Sequence, residues 1–240
     1  MDILITICAR GGSKGIPGKN IKTLNGKPLI YYSLATAAKF ASVQPGVSVI
    51  LSTDDEAVKS LVAASGYEID SSYSRPAHLA SDTAGKIDAI QDVVHYAEQR
   101  NAKKYAYVID LDVTSPLRTV ADLTAALALL QADPTAYNIF SVNPANRNPY
   151  FNMVEKNEEG YYRTSKEGAF LTRQSTPEVY DMNASFYIYR SSFFEQGLKK
   201  AITDRSLVYK VPHLCFDLDH PIDFTIMSLL MEHQKLDFEL

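Results

Sequence analysis

The segment ILITICARGGSKGIPGKN, residues 3–20, joins an apolar run to a loop with four glycines and a proline. The apolar run, residues 3–8, is rich in β-branched residues and predicts a buried strand. In the loop that follows, backbone N–H groups can approach an anion closely, because glycine has no side chain in the way. This order predicts an α/β protein with an anion-binding loop after its first strand.

The charges around the loop point in the same direction. No acidic residue occurs between Asp2 and Asp54. The basic residues in that interval are Arg10, Lys14, Lys19, Lys22, Lys27 and Lys39. In a chain of net charge −4 this is a local positive site, and a polyphosphate is its natural ligand. The alternative is a basic loop that is merely solvated.

The loop departs from three common glycine motifs. It is not a Walker A sequence, because Asn20 stands where Ser or Thr is needed and Ser13 where the first glycine is needed. The glycines also lack the G-x-G-x-x-G spacing of dinucleotide-binding proteins. Residues 11–15 formally match the G-x-S-x-G nucleophile elbow, but residues 16–18 break the helix that an elbow must enter. A serine hydrolase is therefore disfavoured.

Strand and helix patterns alternate along most of the chain. We expect strands at residues 3–8, 47–52, 68–70, 105–111, 137–142 and 185–189, with one more ending near 219. We expect helices at residues 29–40, 54–65, 82–100, 119–131, 191–200 and 221–232. The predicted fold class is α/β, a Rossmann-like doubly wound, mainly parallel sheet forming one domain over 1–240. Residues 146–182 show hairpin periodicity and are interpreted as an insertion, either an arm for self-association or a lid.

Acidic residues follow two of the expected strands. Asp217 and Asp219 alternate with apolar neighbours, so a strand end here places both carboxylates on one face. Two adjacent carboxylates repel each other unless a cation lies between them, and hard oxygen ligands suit Mg²⁺; two solvated aspartates are the alternative. Asp223 fits the first turn of the last helix. Asp110 and Asp112 end the central strand, so topology places all these acids and the glycine loop around one crevice.

Composition narrows the functional classes. The chain has 240 residues, of which 46% are hydrophobic, enough for a sizeable core. No stretch approaches the roughly 18 apolar residues of a membrane span, and the negative net charge argues against nucleic-acid binding. Cys8 and Cys215 give no disulfide framework and fit reduced thiols. These features predict a cytoplasmic enzyme without a membrane or nucleic-acid partner.

Residues 9–20 resemble the signature of the acylneuraminate cytidylyltransferases, the CMP-sialic acid synthetase family. The similarity continues in order along the chain. It includes Ser52-Thr53-Asp54, Arg75-Pro76, Leu79-Ala80, Asp82, Thr114-Ser115-Pro116-Leu117-Arg118, Arg173-Gln174, Asn183 and Asp217-Leu218-Asp219. The resemblance implies a nucleotidyltransferase-type sheet, a hairpin-rich dimerisation insertion and a homodimer. It also implies a reaction that joins CMP from CTP to a nonulosonic acid, releases pyrophosphate and uses Mg²⁺.

The resemblance also assigns roles by position. The CTP phosphates would be held by Arg10, Ser13, Lys14, Lys19 and Asn20, of which Arg10, Lys14 and Lys19 are the catalytic cations. The cytidine would lie against Arg75, Ala84 and Lys86. The sugar acid would lie near Asp112, Arg173 and Asn183. Asp217 and Asp219 would bind Mg²⁺.

Two departures from the family pattern concern the acceptor. Asp112-Val113 replaces a Gln-Pro pair, and residues 148–152 lack the lysine of a His-Pro-x-Lys sequence. Both places face the sugar acid in the family, so we expect a relative of sialic acid, such as legionaminic acid, as acceptor. The alternatives are a CMP-Kdo synthetase, another sugar nucleotidyltransferase, or a nucleotide-binding relative without catalytic activity.

Overall fold

The computed structural model describes residues 1–12 and 15–240. The strands are β1 (Ile3–Cys8), β2 (Thr23–Leu24), β3 (Lys27–Pro28), β4 (Val47–Ser52), β5 (Tyr107–Asp112), β6 (Asn138–Pro144), β7 (Val154–Lys156), β8 (Tyr162–Thr164), β9 (Tyr180–Arg190) and β10 (Ser206–Lys210). The helices are α1 (Ile30–Val43), α2 (Glu56–Ala63), α3 (Lys86–Asn101), α4 (Val120–Ala132), α5 (Ser191–Glu195) and α6 (Pro221–Glu232). Among these helices none is both long and apolar enough to cross a bilayer.

A six-stranded sheet organises the chain, in the order β10-β6-β9-β5-β1-β4. Strand β9 is antiparallel to both of its neighbours, and the other pairings are parallel. Helices cover both faces: α1, α2, α4 and α6 contribute to one buried cluster, and α3 and α5 to the other. Covered faces explain why β1 and β5 are nearly continuous apolar runs. The predicted doubly wound, mainly parallel α/β fold is confirmed.

Several local predictions hold and others fail for identifiable reasons. The Thr119–Asp122 capping box at the start of α4 is present. The segment 68–70 forms only one bridge, between Asp70 and Ile50. Helix α3 begins at Lys86 rather than near residue 82, because the Asp82 side chain pairs with Arg10 instead of capping the helix.

The expected last strand is also wrong, since residues 215–219 lie outside the strands. This segment is held by a backbone hydrogen bond from Leu218 to the Thr114 carbonyl. Leu218 is buried, Asp217 is partly buried and Asp219 is exposed. The charge of Asp219 still acts on the Asp217 carboxyl, so the two acids lie close together without a strand. Helix α5 is shorter than expected and is followed by Gly197, which has a positive φ.

The segment 146–182 contains the predicted hairpin, formed by β7 and β8. Its turn closes where the Asn157 amide donates to the Tyr161 carbonyl, and Gly160 adopts a φ of 92°. Apolar side chains of this segment are exposed, including Tyr161, Tyr162 and Leu171. The use of this segment as a dimerisation arm stays a prediction.

Candidate active site

The glycine loop touches the acidic segment near the other end of the chain. The Lys19 ammonium donates to the Leu218 carbonyl at 2.6 Å and lies 3.6 Å from the Asp219 carboxylate. Its side chain is only 12% exposed. A Cβ atom placed on Gly15 would lie 2.5 Å from the Asp219 carbonyl oxygen. The cationic loop therefore lies against the segment that carries the paired acids, as the sheet topology predicts.

Three side chains brace the glycine loop. The Asp54 carboxylate accepts a hydrogen bond from the Gly11 amide at 2.9 Å. The buried Asn20 side chain donates to the Arg10 carbonyl, so its amide supports the loop backbone. The Arg10 guanidinium pairs with Asp82 at 2.6 Å across the cleft. The bracing roles of Asp54 and Asp82 were missed in the sequence, where both resemble helix-start residues.

Two of the residues assigned to the phosphates, Ser13 and Lys14, lie outside the described residues. Their proposed roles stay predictions.

The acidic pair is positioned by the start of α6. The Asp223 carboxylate accepts hydrogen bonds from the backbone amides of Asp219 and His220, at 3.1 and 2.7 Å. This confirms the prediction that Asp223 lies in the first helical turn. Burial and the neighbouring charge of Asp219 raise the pKa of the Asp217 carboxyl. A divalent cation between these two carboxylates would relieve their repulsion.

The donor chemistry of the pair fits Mg²⁺, although the protein supplies only part of a coordination shell. No group of three or more His, Cys, Asp or Glu side chains arranged to hold a metal occurs among residues 1–12 and 15–240. Mg²⁺ commonly uses one or two carboxylates and completes its octahedron with water and substrate phosphate oxygens. Asp217 and Asp219 are therefore the residues that would hold it.

A second group of polar side chains lies on the α3 face of the sheet, where β1 and β5 end. The parallel register places Thr6 beside Asp110 and Cys8 beside Asp112, and side chains two apart share a face. The Lys86 ammonium lies 2.9 Å from Asp110 and 2.8 Å from Asp112. The role of Asp110 was missed, although an acid inside a buried apolar strand signals that a partner must exist.

These ion pairs determine the ionisation states of Lys86 and Asp112. Burial opposes the charge of Lys86, but Asp110 and Asp112 raise the pKa of its ammonium well above the usual value. Burial likewise raises the pKa of the Asp112 carboxyl, but Lys86 and the Thr114 hydrogen bonds outweigh it and lower that pKa to about 2. Both groups are ionised at neutral pH.

A cavity of about 200 Å³ opens beside this group. Five residues predicted for the site line it: Arg10, Arg75, Ala84, Lys86 and Asp112. Arg75 is anchored at the end of β4, where it donates to the Ser52 hydroxyl and carbonyl, each at 2.9 Å. The structure thus brings the residues assigned to the cytidine into one cavity, together with one residue assigned to the sugar.

The turn after β5 is held by a buried arginine, Arg118. Arg118 is buried and donates to the carbonyls of Asp112 and Ser115 and to the hydroxyls of Ser33 and Ser185. Burial lowers the pKa of its guanidinium to about 10, so it remains charged at neutral pH. Arg118 therefore holds the turn that carries Thr114 against residues 215–218.

The other two residues assigned to the sugar lie elsewhere. Asn183 is buried in β9, where its amide donates to the Asn143 side chain at 2.6 Å. Arg173 is exposed, donates to the Ala145 carbonyl, and lines a separate cavity of about 540 Å³ with Lys210. The structure does not bring Arg173 or Asn183 into the cavity that contains Asp112.

Comparisons with known proteins agree with this architecture. A family model described as Cytidylyltransferase matches residues 4–224. The chain is 37% identical over 235 residues to post-translational flagellin modification protein B of Campylobacter coli, covering 98% of this chain and 97% of that one. It is 35% identical, with the same coverage, to CMP-N,N'-diacetyllegionaminic acid synthase of Campylobacter jejuni.

A solved structure of CMP:2-keto-3-deoxy-manno-octonic acid synthetase complexed with CTP is similar in fold. Its TM-score is 0.68 at 18% sequence identity, and the match covers 98% of this chain and 100% of that chain. At this identity the similarity concerns the fold alone.

Proposed function

The chain belongs to the cytidylyltransferase family and is a nucleotidyltransferase, and on this premise we propose that it transfers CMP from CTP to the anomeric hydroxyl of a nonulosonic acid with release of pyrophosphate. The observation that carries the proposal is the contact of Lys19 with residues 218 and 219. This contact supports the proposal, because one triphosphate could reach both the cation-rich loop and the pair of acids. Arg10 of the same loop lines the cavity that Arg75 also lines, and this cavity would take the nucleoside.

We propose a legionaminic acid as the acceptor. A relative that matches almost the whole chain at 35% identity is named as a CMP-N,N'-diacetyllegionaminic acid synthase. The two departures from the sialic acid pattern, at Asp112-Val113 and at residues 148–152, both concern places that the resemblance assigns to the sugar. Asp112 is 22% exposed and lines the cavity, so it can contact an acceptor placed beside the nucleotide.

The residues suggest a mechanism of positioning and charge neutralisation, as is usual in phosphoryl-type transfer. Arg10 and Lys19 would stabilise the negative charge that develops on the leaving pyrophosphate. Asp217 and Asp219 would hold Mg²⁺, which when bound supplies Lewis-acid neutralisation of phosphate charge. Asp112, with a pKa of about 2, is a poor general base but a good hydrogen-bond acceptor. It would orient the attacking hydroxyl.

Product formation tests the proposal directly. The purified protein is incubated with Mg²⁺, with each of the four nucleoside triphosphates and with a panel of acids: legionaminate, N-acetylneuraminate, pseudaminate and Kdo. We expect pyrophosphate release with CTP only, a CMP-linked product detected by mass, and the highest kcat/KM for legionaminate. A clear preference for N-acetylneuraminate would contradict the acceptor assignment. Absence of any CMP-linked product would overturn the transfer itself. The homodimer and the cytoplasmic location remain predictions from sequence.

A further inference from the structure

Asp110 is a buried carboxylate whose environment is unusual for this chain. None of its surface is exposed. One carboxylate oxygen, Oδ1, accepts a hydrogen bond from the Thr6 hydroxyl at 2.7 Å. The other, Oδ2, has no hydrogen bond of good geometry and lies 2.9 Å from the Lys86 ammonium. Lys86 is therefore the group that balances this buried charge.

The two carboxylates beside Lys86 differ in how easily they could release it. Asp112 is partly exposed, and its Oδ1 already accepts hydrogen bonds from the Thr114 amide and hydroxyl, each at 2.9 Å. Water can replace Lys86 at Asp112. It cannot do so at Asp110, because that carboxylate has no exposed surface and an unpaired buried charge is strongly unfavourable. Lys86 can therefore leave Asp112 more easily than Asp110.

The Lys86 side chain also reaches the cavity. It is 37% exposed and shares the cavity wall with Arg10 and Arg75. Lys86 is the first residue of the 16-residue helix α3, whose N-terminus favours negative charge. Its ammonium lies 4.7 Å from the centre of the Tyr187 ring. This ring restricts movement of the ammonium on one side. The wall also includes two carboxylates, Asp82 and Asp112, each paired with one of these cations. A phosphoryl oxygen is the ligand chemistry that fits the remaining positive charge and the helix N-terminus.

We propose that Asp110 is a positioning residue that anchors the Lys86 ammonium at the cavity wall, where Lys86 exchanges Asp112 for a phosphoryl oxygen of the bound cytidine nucleotide. This inference rests on the proposed function for the identity of the nucleotide. Asp110 touches no substrate in this arrangement. Its effect on binding passes through Lys86 alone.

The test measures the affinity of the purified protein for CMP and for cytidine by calorimetry, using Asp110→Asn, Lys86→Met and the double variant. We expect each single change to weaken CMP binding about 10- to 100-fold, the range for losing a hydrogen bond to a charged group. Cytidine binding should change less than about twofold, because this proposal places the Lys86 ammonium on a phosphoryl oxygen, whereas the resemblance places it against the cytidine. The double variant should bind CMP no more weakly than Lys86→Met, because Asp110 acts only through that lysine.

Thermal unfolding checks that Lys86 balances the Asp110 charge, whereas the difference between CMP and cytidine binding is the readout that a purely structural role would not produce. Lys86→Met leaves the Asp110 charge buried without a partner, so the double variant should unfold at a higher temperature than Lys86→Met alone. Tyr189→Phe is the matched control, because it removes another buried polar atom from the same core. The Tyr189 hydroxyl has no hydrogen-bond partner among the described residues. It should bind CMP as the wild type does. If Asp110→Asn fails to fold, Thr6→Val should weaken CMP binding in the same direction.

Two results would overturn the inference: equal losses for CMP and cytidine, or losses that multiply in the double variant. Its failure is separable from that of the proposed function. If the wild type binds CMP but makes no CMP-linked product, the transfer proposal fails while the binding comparison still decides the role of Asp110. If the wild type makes product and the variants bind CMP normally, the role of Asp110 alone is refuted.

Discussion

Gly15 is the point of closest approach between the glycine loop and the acidic segment. A Cβ atom there would meet the Asp219 carbonyl oxygen at 2.5 Å. Carbon and carbonyl oxygen atoms of neighbouring segments ordinarily come no closer than about 3.3–3.6 Å. Gly15→Ala must therefore move the two segments apart by about 1 Å. The obstacle is backbone rather than a flexible side chain, so a rotamer change cannot absorb the shift.

The predicted consequence is a loss of turnover with little loss of stability. A displacement of about 1 Å between catalytic groups can reduce a rate about 100-fold. Lys19 and Asp219, now 3.6 Å apart, would separate by a comparable amount. We expect kcat to fall about 100-fold. Because Gly15 is exposed and lies outside the helices and strands, the free energy of unfolding should change by less than about 1 kcal/mol.

The assay is steady-state release of pyrophosphate with CTP, Mg²⁺ and the preferred acceptor, together with chemical unfolding. Gly11→Ala is the matched control in the same loop, since a Cβ there meets its nearest atoms at 3.6 Å, an ordinary contact. That variant should retain kcat within about threefold. Equal activity of the two variants would refute the reasoning, because turnover would then not depend on the close approach of residues 15 and 219.

Three further changes test the charges of the site. Lys19→Ala should lower kcat about 10²- to 10³-fold. Lys39→Ala, at an exposed lysine of α1, is the control and should leave kcat unchanged. Steady-state kinetics of both variants would test this difference. Asp219→Asn should raise the Mg²⁺ concentration needed for half-maximal activity, and an unchanged metal titration would count against the metal assignment. The Asp112 pKa lies at about 2, below its usual value of 3.8. The stabilisation of the folded protein by ionised Asp112 is therefore complete above about pH 4 and is lost as the pH falls towards 2. In urea unfolding at pH 2–5, the free energy of unfolding of Asp112→Asn should decrease less towards low pH than that of the wild type. Parallel curves for the two proteins would disprove this.

Local patterns predicted most of the elements correctly. The Thr119–Asp122 capping box and the Pro221 start of α6 are encoded within four residues, so neighbouring side chains suffice to form them. The apolar runs of β1 and β5 also identify buried strands without knowledge of their partners. The last predicted strand failed because its segment is held by the loop at Thr114 and not by a strand ladder.

The candidate site was only partly predictable. Its cationic loop and paired acids are visible as residue types at close spacing. The bracing of the loop by Asn20, and the burial of Asn183 within β9, could not be predicted, since an amide side chain looks the same whether it faces a ligand or a backbone carbonyl. Asp110 was recognisable only as an acid in an apolar strand.

The sequence by itself determined most of the strands and helices, the cationic glycine loop and the positions of the acidic residues, because these depend on spacing along the chain. Only the tertiary structure decided which charges meet. Arg10 pairs with Asp82 at a separation of 72 residues, and Lys19 reaches Leu218 at a separation of 199. Such contacts form because the folded sheet brings distant parts of the chain together, and no local sequence pattern predicts them.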